Sequence, residues 1–172
     1  MTKASTTLAQ HKIPYFVPTI GEAEIDEVVD TIRSGWLTTG KKAKKFEEVF
    51  AQRVGAKHAI AVNSCTAALH LALEALGVSA GDEVIVPTLT FASTAEVALH
   101  LGATPVLADC LPDTLNIDPA SIAAKITPKT KAIVPVHYAG QPCDLEEIQA
   151  VADQHGLPVV EDAAHALPAS YG

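Results

Sequence analysis

Short apolar runs alternate with helical segments along most of the chain, and this alternation constrains the fold more than any other feature. The runs are apolar at successive positions, which is typical of strands buried on both faces. Strands separated by helices form parallel sheets, because a parallel neighbour needs a long crossover connection. The sequence therefore predicts an α/β protein with a three-layer α/β/α arrangement and a mostly parallel sheet. The strands are predicted at 59–62, 83–86, 105–109, 131–136 and 157–161.

The helices are predicted from apolar spacing and from end signals. The first begins at Thr19 or Gly21 and ends at Ser34, after a loose tail over residues 1–12 and an extended stretch over 13–18. The segment 65–76 is apolar all round, which predicts a deeply buried helix. Further helices are expected at 91–101, 118–126 and 144–155. Helix 41–54 is expected to turn four apolar residues inward, Phe46, Val49, Phe50 and Val54.

The composition excludes several classes of protein. Of 172 residues, 48% are hydrophobic and 19% are charged, as in an ordinary globular protein. A formal net charge of −8 argues against nucleic-acid binding, which a basic surface usually supports. No apolar run approaches the ~20 residues of a membrane-spanning helix, and no secretory signal is visible. Three widely spaced cysteines without a CxxC pair predict reduced thiols and a cytoplasmic protein.

The last predicted strand ends on two acids, Glu161 and Asp162, before an alanine-rich turn. Ligands of parallel sheets bind beyond the carboxyl ends of the strands, so Asp162 is expected at a ligand site. A poorly hydrated carboxylate is costly unless a cation or hydrogen-bond donors meet it. Asp162 is therefore predicted to have a specific partner.

Three other strand ends are expected at the same edge. A helix begins directly after the first strand, and its free N–H groups, with Ser64 and Thr66 nearby, form a cradle that suits phosphate. The simpler interpretation is that Asn63 or Ser64 only caps the helix. Phe91 is either a core residue or a ring that stacks on a planar ligand, and His137 is either a structural histidine or a site residue.

The N-terminal region offers two weaker candidates. Trp36 lies with Thr38 in a loop between two helices, where it either anchors packing or lines a pocket. Lysines at the start of helix 41–54 form either a solvated face or a basic rim for an anion.

Metal and triad chemistry are disfavoured. His137, His165 and Cys143 show no recognised ligand spacing, so no metal is predicted. Ser64, His165 and Asp162 lack the GxSxG elbow of a serine hydrolase.

One ligand would use the cradle, the ring and the acid together, and that ligand is pyridoxal 5′-phosphate (PLP). Its phosphate suits a helix N-terminus and its ring suits an aromatic face. Its pyridine nitrogen requires an acid partner that keeps it protonated. PLP is therefore the predicted cofactor.

The sequence also resembles the DegT-type sugar aminotransferases, which are PLP enzymes of the aspartate-aminotransferase fold. Within that family it is most similar to the UDP-4-amino-4-deoxy-L-arabinose–oxoglutarate aminotransferases. The resemblance runs from about Ile13 to Tyr171 and includes the Gly35-Trp36-Leu37-Thr38-Thr39-Gly40 loop. It rests on segments 35–40, 63–69, 81–85, 87–91, 127–133, 135–140 and 161–166.

The resemblance implies a role for each matching residue. Thr66 and Ala67, with Ser64 and Cys65 beside them, would hold the phosphate, and Phe91 would stack on the ring. Asp162 would pair with the ring nitrogen, Ala164 would pack on the other ring face, and His165 would approach the 3′-oxygen. Trp36, Thr38 and His137 would lie on the substrate side.

The resemblance also implies an incomplete enzyme. Residues 1–34 would be an N-terminal tail and first helix, and residues 35–172 part of the PLP-binding large domain. The Schiff-base lysine of the family follows the strand that ends at Asp162, whereas the last lysine here is Lys131. We therefore expect no catalytic residue and no turnover in the chain as it stands.

The functional prediction is the N-terminal portion of an aminotransferase, part of polysaccharide or lipopolysaccharide biosynthesis. The complete enzyme would transfer an amino group, from glutamate, to a keto-sugar nucleotide. The alternatives are a non-catalytic binding or interaction module and a relative with dehydratase chemistry. The family is dimeric, so a homodimer is expected.

Overall fold

The computed structural model describes Pro14 and residues 17–172, and these divide into two compact units. The first unit runs to Ala61 and the second is Val62–Gly172. The predicted tail over residues 1–12 lies outside the described residues, and so do residues 13, 15 and 16 of the extended stretch over 13–18. The predicted domain boundary between residues 34 and 35 falls inside the first unit.

The described part of the first unit contains two helices, α1 (Glu22–Ser34) and α2 (Lys41–Val54). The Gly21 amide donates to the Glu24 carboxylate at 2.6 Å, which satisfies one of the free N–H groups at the start of α1. The Lys42 ammonium lies 2.6 Å from Glu27 and 2.8 Å from Asp30, so these ion pairs join the start of α2 to α1. The pairing places two carboxylates near a helix N-terminus crowded with lysines.

The predicted inward face of α2 is wrong for three of its four residues. Phe46, Val49 and Val54 are 58%, 55% and 46% exposed, and Phe50 is half-buried. Phe46 and Phe50 contact each other, with ring centroids 5.7 Å apart. Two helices and a short loop offer too little surface to cover an apolar face, which leaves it open in the described chain.

The second unit contains the sheet, four α-helices and a short 3-10 helix over Tyr138–Gly140. Its strands are β1 (Glu83–Pro87), β2 (Thr104–Ala108) and β3 (Thr130–Ile133), which are all parallel and lie in the order β2-β1-β3. Ile85 is paired with Val106 on one side and Ile133 on the other. The helices are α3 (Cys65–Ala75), α4 (Ala92–His100), α5 (Pro119–Lys125) and α6 (Leu145–His155).

Helices cover both faces of this sheet, so the predicted three-layer α/β/α arrangement is confirmed. Val84 and Val86 pack with Leu69 of α3 and Val97 of α4 on one face. On the other face, Ile85 packs with Ile122 of α5 and Ile148 of α6. Alternate residues of β1 thus face opposite layers, as the pleat of a strand requires.

Three sequence predictions need correction. Segment 59–62 forms no strand, and Ile60 is 82% exposed, because no described residue offers it a ladder partner. Segment 157–161 forms no named strand: it meets β3 in the single parallel bridge Ile133–Val159, and a second bridge, Val136–Asp162, joins the residues just beyond both. Helix α3 is not deeply buried: only Leu69 and Leu73 are buried, since it lies in an outer layer with one face on the sheet.

The order of the strands creates a crevice. Helix α4 follows β1 on one face of the sheet, whereas α6 follows β3, the neighbour of β1, on the other face. Neighbouring parallel strands whose connections leave on opposite sides open a cleft at their carboxyl ends. No helix among the described residues is long and apolar enough to cross a membrane.

Candidate cofactor site at the carboxyl edge of the sheet

Asp162 lies at this edge, 5% exposed, and three donors meet its carboxylate. Thr94 Oγ1 donates to Oδ2 at 2.8 Å, while the Ala164 amide and the Cys65 thiol donate to Oδ1 at 3.3 and 3.6 Å. These donors offset part of the cost of burying an ionised group. Asp162 was predicted to have a specific partner. Within the chain itself, that partner is a set of three hydrogen-bond donors.

The carboxylate keeps capacity for one more donor. An ionised carboxylate offers about four lone-pair positions, two on each oxygen. Oδ1 accepts two hydrogen bonds and Oδ2 accepts one. Oδ2 can therefore accept from one further N–H, which fits a protonated ring nitrogen.

The pKa of the Cys65 thiol is sensitive to the negative charge of this site. Burial, the negative charge of Asp162 and the hydrogen bond to it raise the pKa of the Cys65 thiol. The thiol therefore stays protonated at neutral pH and acts as a donor to Oδ1.

The N-terminus of α3 lies directly before this thiol. Ser64 Oγ accepts from the Ala67 amide at 3.1 Å, so Ser64 caps the helix as the simpler interpretation predicted. The amides of Cys65 and Thr66 meet no acceptor among the described residues. Two N–H groups thus remain for an anion, whereas Ala67 is already satisfied.

Phe91 precedes α4 and is 78% exposed, so the core interpretation of this ring is wrong. Its carbonyl accepts from the Thr94 amide at 3.1 Å. The ring is available to stack on a planar ligand, and its backbone is bonded to the residue that also holds Asp162.

His137 is buried and fully engaged. Its amide donates to the Asp162 carbonyl at 3.1 Å, Nε2 lies 2.8 Å from Glu161 Oε2, and Nδ1 accepts from the Cys143 amide at 3.0 Å. With both ring nitrogens used inside the protein, the geometry favours the structural alternative for His137.

The charge of His137 is set by opposing contacts. Contact with the Cys143 side chain and with the Glu161 carboxylate raises the pKa of His137 to about 9, against burial, which lowers it. The Cys143 thiol, however, donates to the Val136 carbonyl, and the Cys143 amide favours a neutral ring by donating to Nδ1. Glu161 is therefore the contact that supports the rise, and His137 in turn lowers the pKa of Glu161.

The turn after Asp162 contains the other predicted cofactor residues. Ala164 and His165 are both exposed there. Gly140, at φ +87°, lies against this turn, since a Cβ at Gly140 would be 2.8 Å from the His165 carbonyl oxygen. The close approach requires glycine and fixes the turn next to the loop that follows β3.

Trp36 and Thr38 belong to the first unit. They line an open pocket of about 500 Å³ together with Lys41 and Lys42. The indole Nε1 donates to the Thr39 carbonyl at 3.1 Å, and the ring packs on Gly40. Trp36 therefore both packs locally and lines a pocket, which combines the two alternatives.

The sequence reasoning missed three residues that shape the site. Thr94 is fully buried in α4, but Ser93 and Glu96 are polar neighbours in the same helix, so no local sequence signal singles it out. Asn116 donates to the carbonyls of Gln141 and Pro142 and accepts from the Tyr138 amide, so it holds the loop after β3. Glu161 pairs with His137, but nothing in the local sequence indicates that partner. Within residues 17–172 and Pro14, no cluster of three potential metal ligands occurs.

Comparison with known proteins gives concordant relatives. The DegT/DnrJ/EryC1/StrS aminotransferase family model matches residues 18–172. The spore coat polysaccharide biosynthesis protein SpsC of Bacillus subtilis (strain 168) is 59% identical over 161 residues. That match covers 94% of this chain but 41% of SpsC, so the chain spans well under half the length of this relative.

Solved structures agree. An aminotransferase from Psychrobacter cryohalolentis superposes with a TM-score of 0.86 at 46% identity, covering 90% of this chain and 40% of that one. A protein described as a sugar aminotransferase, from Streptococcus pneumoniae in its PLP form, also gives 0.86, at 42% identity. That match covers 91% of this chain and 44% of the other.

Proposed function

Since this chain belongs to the DegT/DnrJ/EryC1/StrS aminotransferase family, we propose that it is the N-terminal portion of a PLP-dependent sugar aminotransferase and that its second unit binds the cofactor. The observation that carries the proposal is Asp162. It is a buried carboxylate with one unused acceptor position, at the carboxyl edge of the sheet.

Different residues at this edge bind different parts of the cofactor. The free amides of Cys65 and Thr66 hold the phosphate, Phe91 contacts one face of the ring, and Asp162 Oδ2 accepts from the ring nitrogen. Ala164 and His165 complete the site from the turn after Asp162. PLP, when bound, supplies an electron sink through its protonated pyridine ring.

The charge of Asp162 is the chemical contribution of this chain. An ionised acid that is shielded from water keeps the ring nitrogen protonated more effectively than an exposed one, because the low local dielectric strengthens the pair. Thr94, Ala164 and Cys65 stabilise the ionised form before the cofactor arrives.

We propose that the amino group comes from glutamate and passes to a keto-sugar nucleotide. The link to polysaccharide biosynthesis in SpsC and the sugar aminotransferase from S. pneumoniae support a sugar substrate. Trp36 and Thr38 line a pocket with lysines beside it, which suits an anionic substrate group.

The lysines of the second unit do not lie near Asp162. Lys129 and Lys131 flank the start of β3, and Lys125 ends α5, whereas Asp162 follows the opposite end of the sheet. We propose that the Schiff-base lysine belongs to a part of the protein outside these residues. By itself the chain would then bind cofactor without turning over, which is the non-catalytic alternative.

Binding of pyridoxamine 5′-phosphate tests this proposal, because that form of the cofactor needs no lysine. We expect saturable binding in a fluorescence titration, and a loss of at least roughly 30-fold in affinity in Asp162→Ala. Asp153→Ala is the matched control, since Asp153 is an exposed aspartate on α6. Absence of binding to the unaltered chain, or equal binding by Asp162→Ala, would contradict the proposal.

A further inference from the structure

The hydroxyl groups behind Asp162 form a directed chain. Thr90 Oγ1 donates to Thr94 Oγ1 at 2.7 Å, and Thr94 Oγ1 donates to Asp162 Oδ2 at 2.8 Å. Each hydroxyl has a single proton, so the donation from Thr90 leaves the Thr94 proton for the carboxylate. The alternative acceptor of Thr90, the Phe91 carbonyl, is more distant at 3.3 Å.

Burial stabilises the donation from the Thr94 hydroxyl to the Asp162 carboxylate. Thr94 is 0% exposed and Asp162 is 5% exposed, so water does not compete for the hydrogen bond between them. A hydrogen bond to a charged group is stronger than a neutral one, and more so where the dielectric is low. Thr94 therefore restricts the rotation of the Asp162 carboxylate by holding Oδ2, whereas Ala164 and Cys65 hold Oδ1.

The same threonine is bonded to the exposed ring. Its amide donates to the Phe91 carbonyl at 3.1 Å. The first turn of α4 thus joins Phe91, which offers an aromatic face, to Asp162, which offers an acceptor. A shift of Thr94 would therefore change the position of the Phe91 ring relative to the Asp162 carboxylate.

We infer that Thr94, oriented by Thr90, is a positioning residue that holds the Asp162 carboxylate with one acceptor position of Oδ2 free for a cofactor ring N–H. The inference rests on the proposed function for the identity of that N–H. Thr94 acts through Asp162, because its hydroxyl is used by the carboxylate and its side chain has no exposed surface.

The first test is a double-mutant cycle on the affinity for pyridoxamine 5′-phosphate. Thr94→Val removes the hydroxyl at nearly constant volume and is expected to weaken binding roughly 10- to 100-fold, whereas Thr94→Ser should stay within about threefold. In the Asp162→Ala background, Thr94→Val should have less than about a twofold effect. An unchanged affinity in Thr94→Val, or an equal loss in both backgrounds, would overturn the inference.

A second test needs no cofactor and separates this inference from the proposed function. The pH dependence of Cys65 alkylation is measured in a Cys110→Ser background, because Cys65 is exposed and Cys143 is buried. Asp162 raises the pKa of Cys65, so Asp162→Ala should lower it. Thr94→Val should lower it in part by releasing the carboxylate, and Thr94→Ser should restore it.

The two readouts distinguish the possible failures. If the unaltered chain binds no pyridoxamine 5′-phosphate, the proposed function fails for this chain, while the alkylation profile still tests the positioning role. An identical Cys65 profile in the unaltered chain and in Thr94→Val would refute that role. If Thr94→Val does not fold, Thr90→Val replaces it as the test, because Thr90 is the half-buried first member of the hydroxyl pair. Thr90→Val must then weaken cofactor binding and lower the pKa of Cys65 by smaller amounts. No change in either quantity would also refute the role.

Discussion

The hydroxyl of Thr94 lies 2.8 Å from Oδ2 of Asp162 and joins α4 to the segment that follows α6. The two residues are 68 positions apart in sequence and approach only because β1 and β3 are neighbours in the sheet. The helix after β1 thereby supplies the donor for the acid beside β3.

Glu161→Gln is expected to lower the pKa of His137, because it removes the anion 2.8 Å from Nε2. The pKa of His137 is raised from 6.5 to about 9, and Glu161 is the contact that supports this rise. A raised value means that the folded chain binds the proton more tightly than the unfolded chain. The resulting stability is fully present below about pH 6.5 and is lost as the pH rises through about 9.

NMR titration of the His137 imidazole measures this value directly, and urea unfolding at several pH values measures the linked stability. Glu146→Gln, on the exposed first turn of α6, is the control that removes one carboxylate elsewhere. If the pKa of His137 in the folded, unaltered chain is below 6.5, the hydrogen bond from the Cys143 amide lowers it more than Glu161 raises it.

Asn116→Ala is expected to destabilise the chain by about 2–4 kcal/mol, because it removes three partly buried hydrogen bonds to the loop after β3. Gln149→Ala, on the exposed face of α6, should change the free energy of unfolding by less than about 0.5 kcal/mol. Urea denaturation compares the two variants. Equal midpoints would show that Asn116 does not hold the loop.

Gly140→Ala tests the close approach to the turn that holds Ala164 and His165. The variant combines a left-handed backbone at φ +87° with a Cβ 2.8 Å from the His165 carbonyl oxygen. Gly35→Ala is the matched control, since Gly35 also has a positive φ, at +72°, but no atom within 4 Å of its Cβ position. Gly140→Ala should therefore cost about 1–3 kcal/mol more than Gly35→Ala in urea unfolding. Equal costs would mean that the turn moves away freely.

The exposed face of α2 is expected to promote self-association, because it presents apolar side chains to water. The double variant Phe46→Ser/Val49→Ser should lower the average mass in light scattering while changing the free energy of unfolding by less than about 1 kcal/mol. Both residues are more than half exposed, so little burial is lost on substitution. Ser replacement of Leu69 and Leu73, which are buried on α3, is the contrasting control and should unfold the chain. If light scattering shows that the unaltered chain is a monomer, the expected self-association is contradicted.

The local signals in the sequence predicted most of the elements. The Asp118-Pro119 pair predicted the start of α5, Asp144 predicted that of α6, and the apolar run at 83–86 predicted β1. These signals succeed because caps, prolines and apolar spacing act within a few residues of the structure that they specify. The family resemblance and the three-layer class were equally visible in the sequence.

Other features depend on neighbours that the sequence does not specify. Segments 59–62 and 157–161 have strand-like composition, but a strand also needs a partner along its ladder. Only the second segment has one, through the bridge Ile133–Val159. Helix α2 has an apolar face that nothing in the described chain covers. Burial is a property of packing, so apolar spacing predicts which face could be buried and not whether it is.

By itself, the sequence predicted that Asp162 would lie at the carboxyl edge of a parallel sheet, together with a helix N-terminus and an aromatic ring. Only the tertiary structure decided which groups meet it. Thr94, Cys65 and Ala164 reach its carboxylate because β1 and β3 are adjacent and their helices leave on opposite faces. The order of strands is a long-range property, whereas the end of a strand is a local one, and the site depends on both.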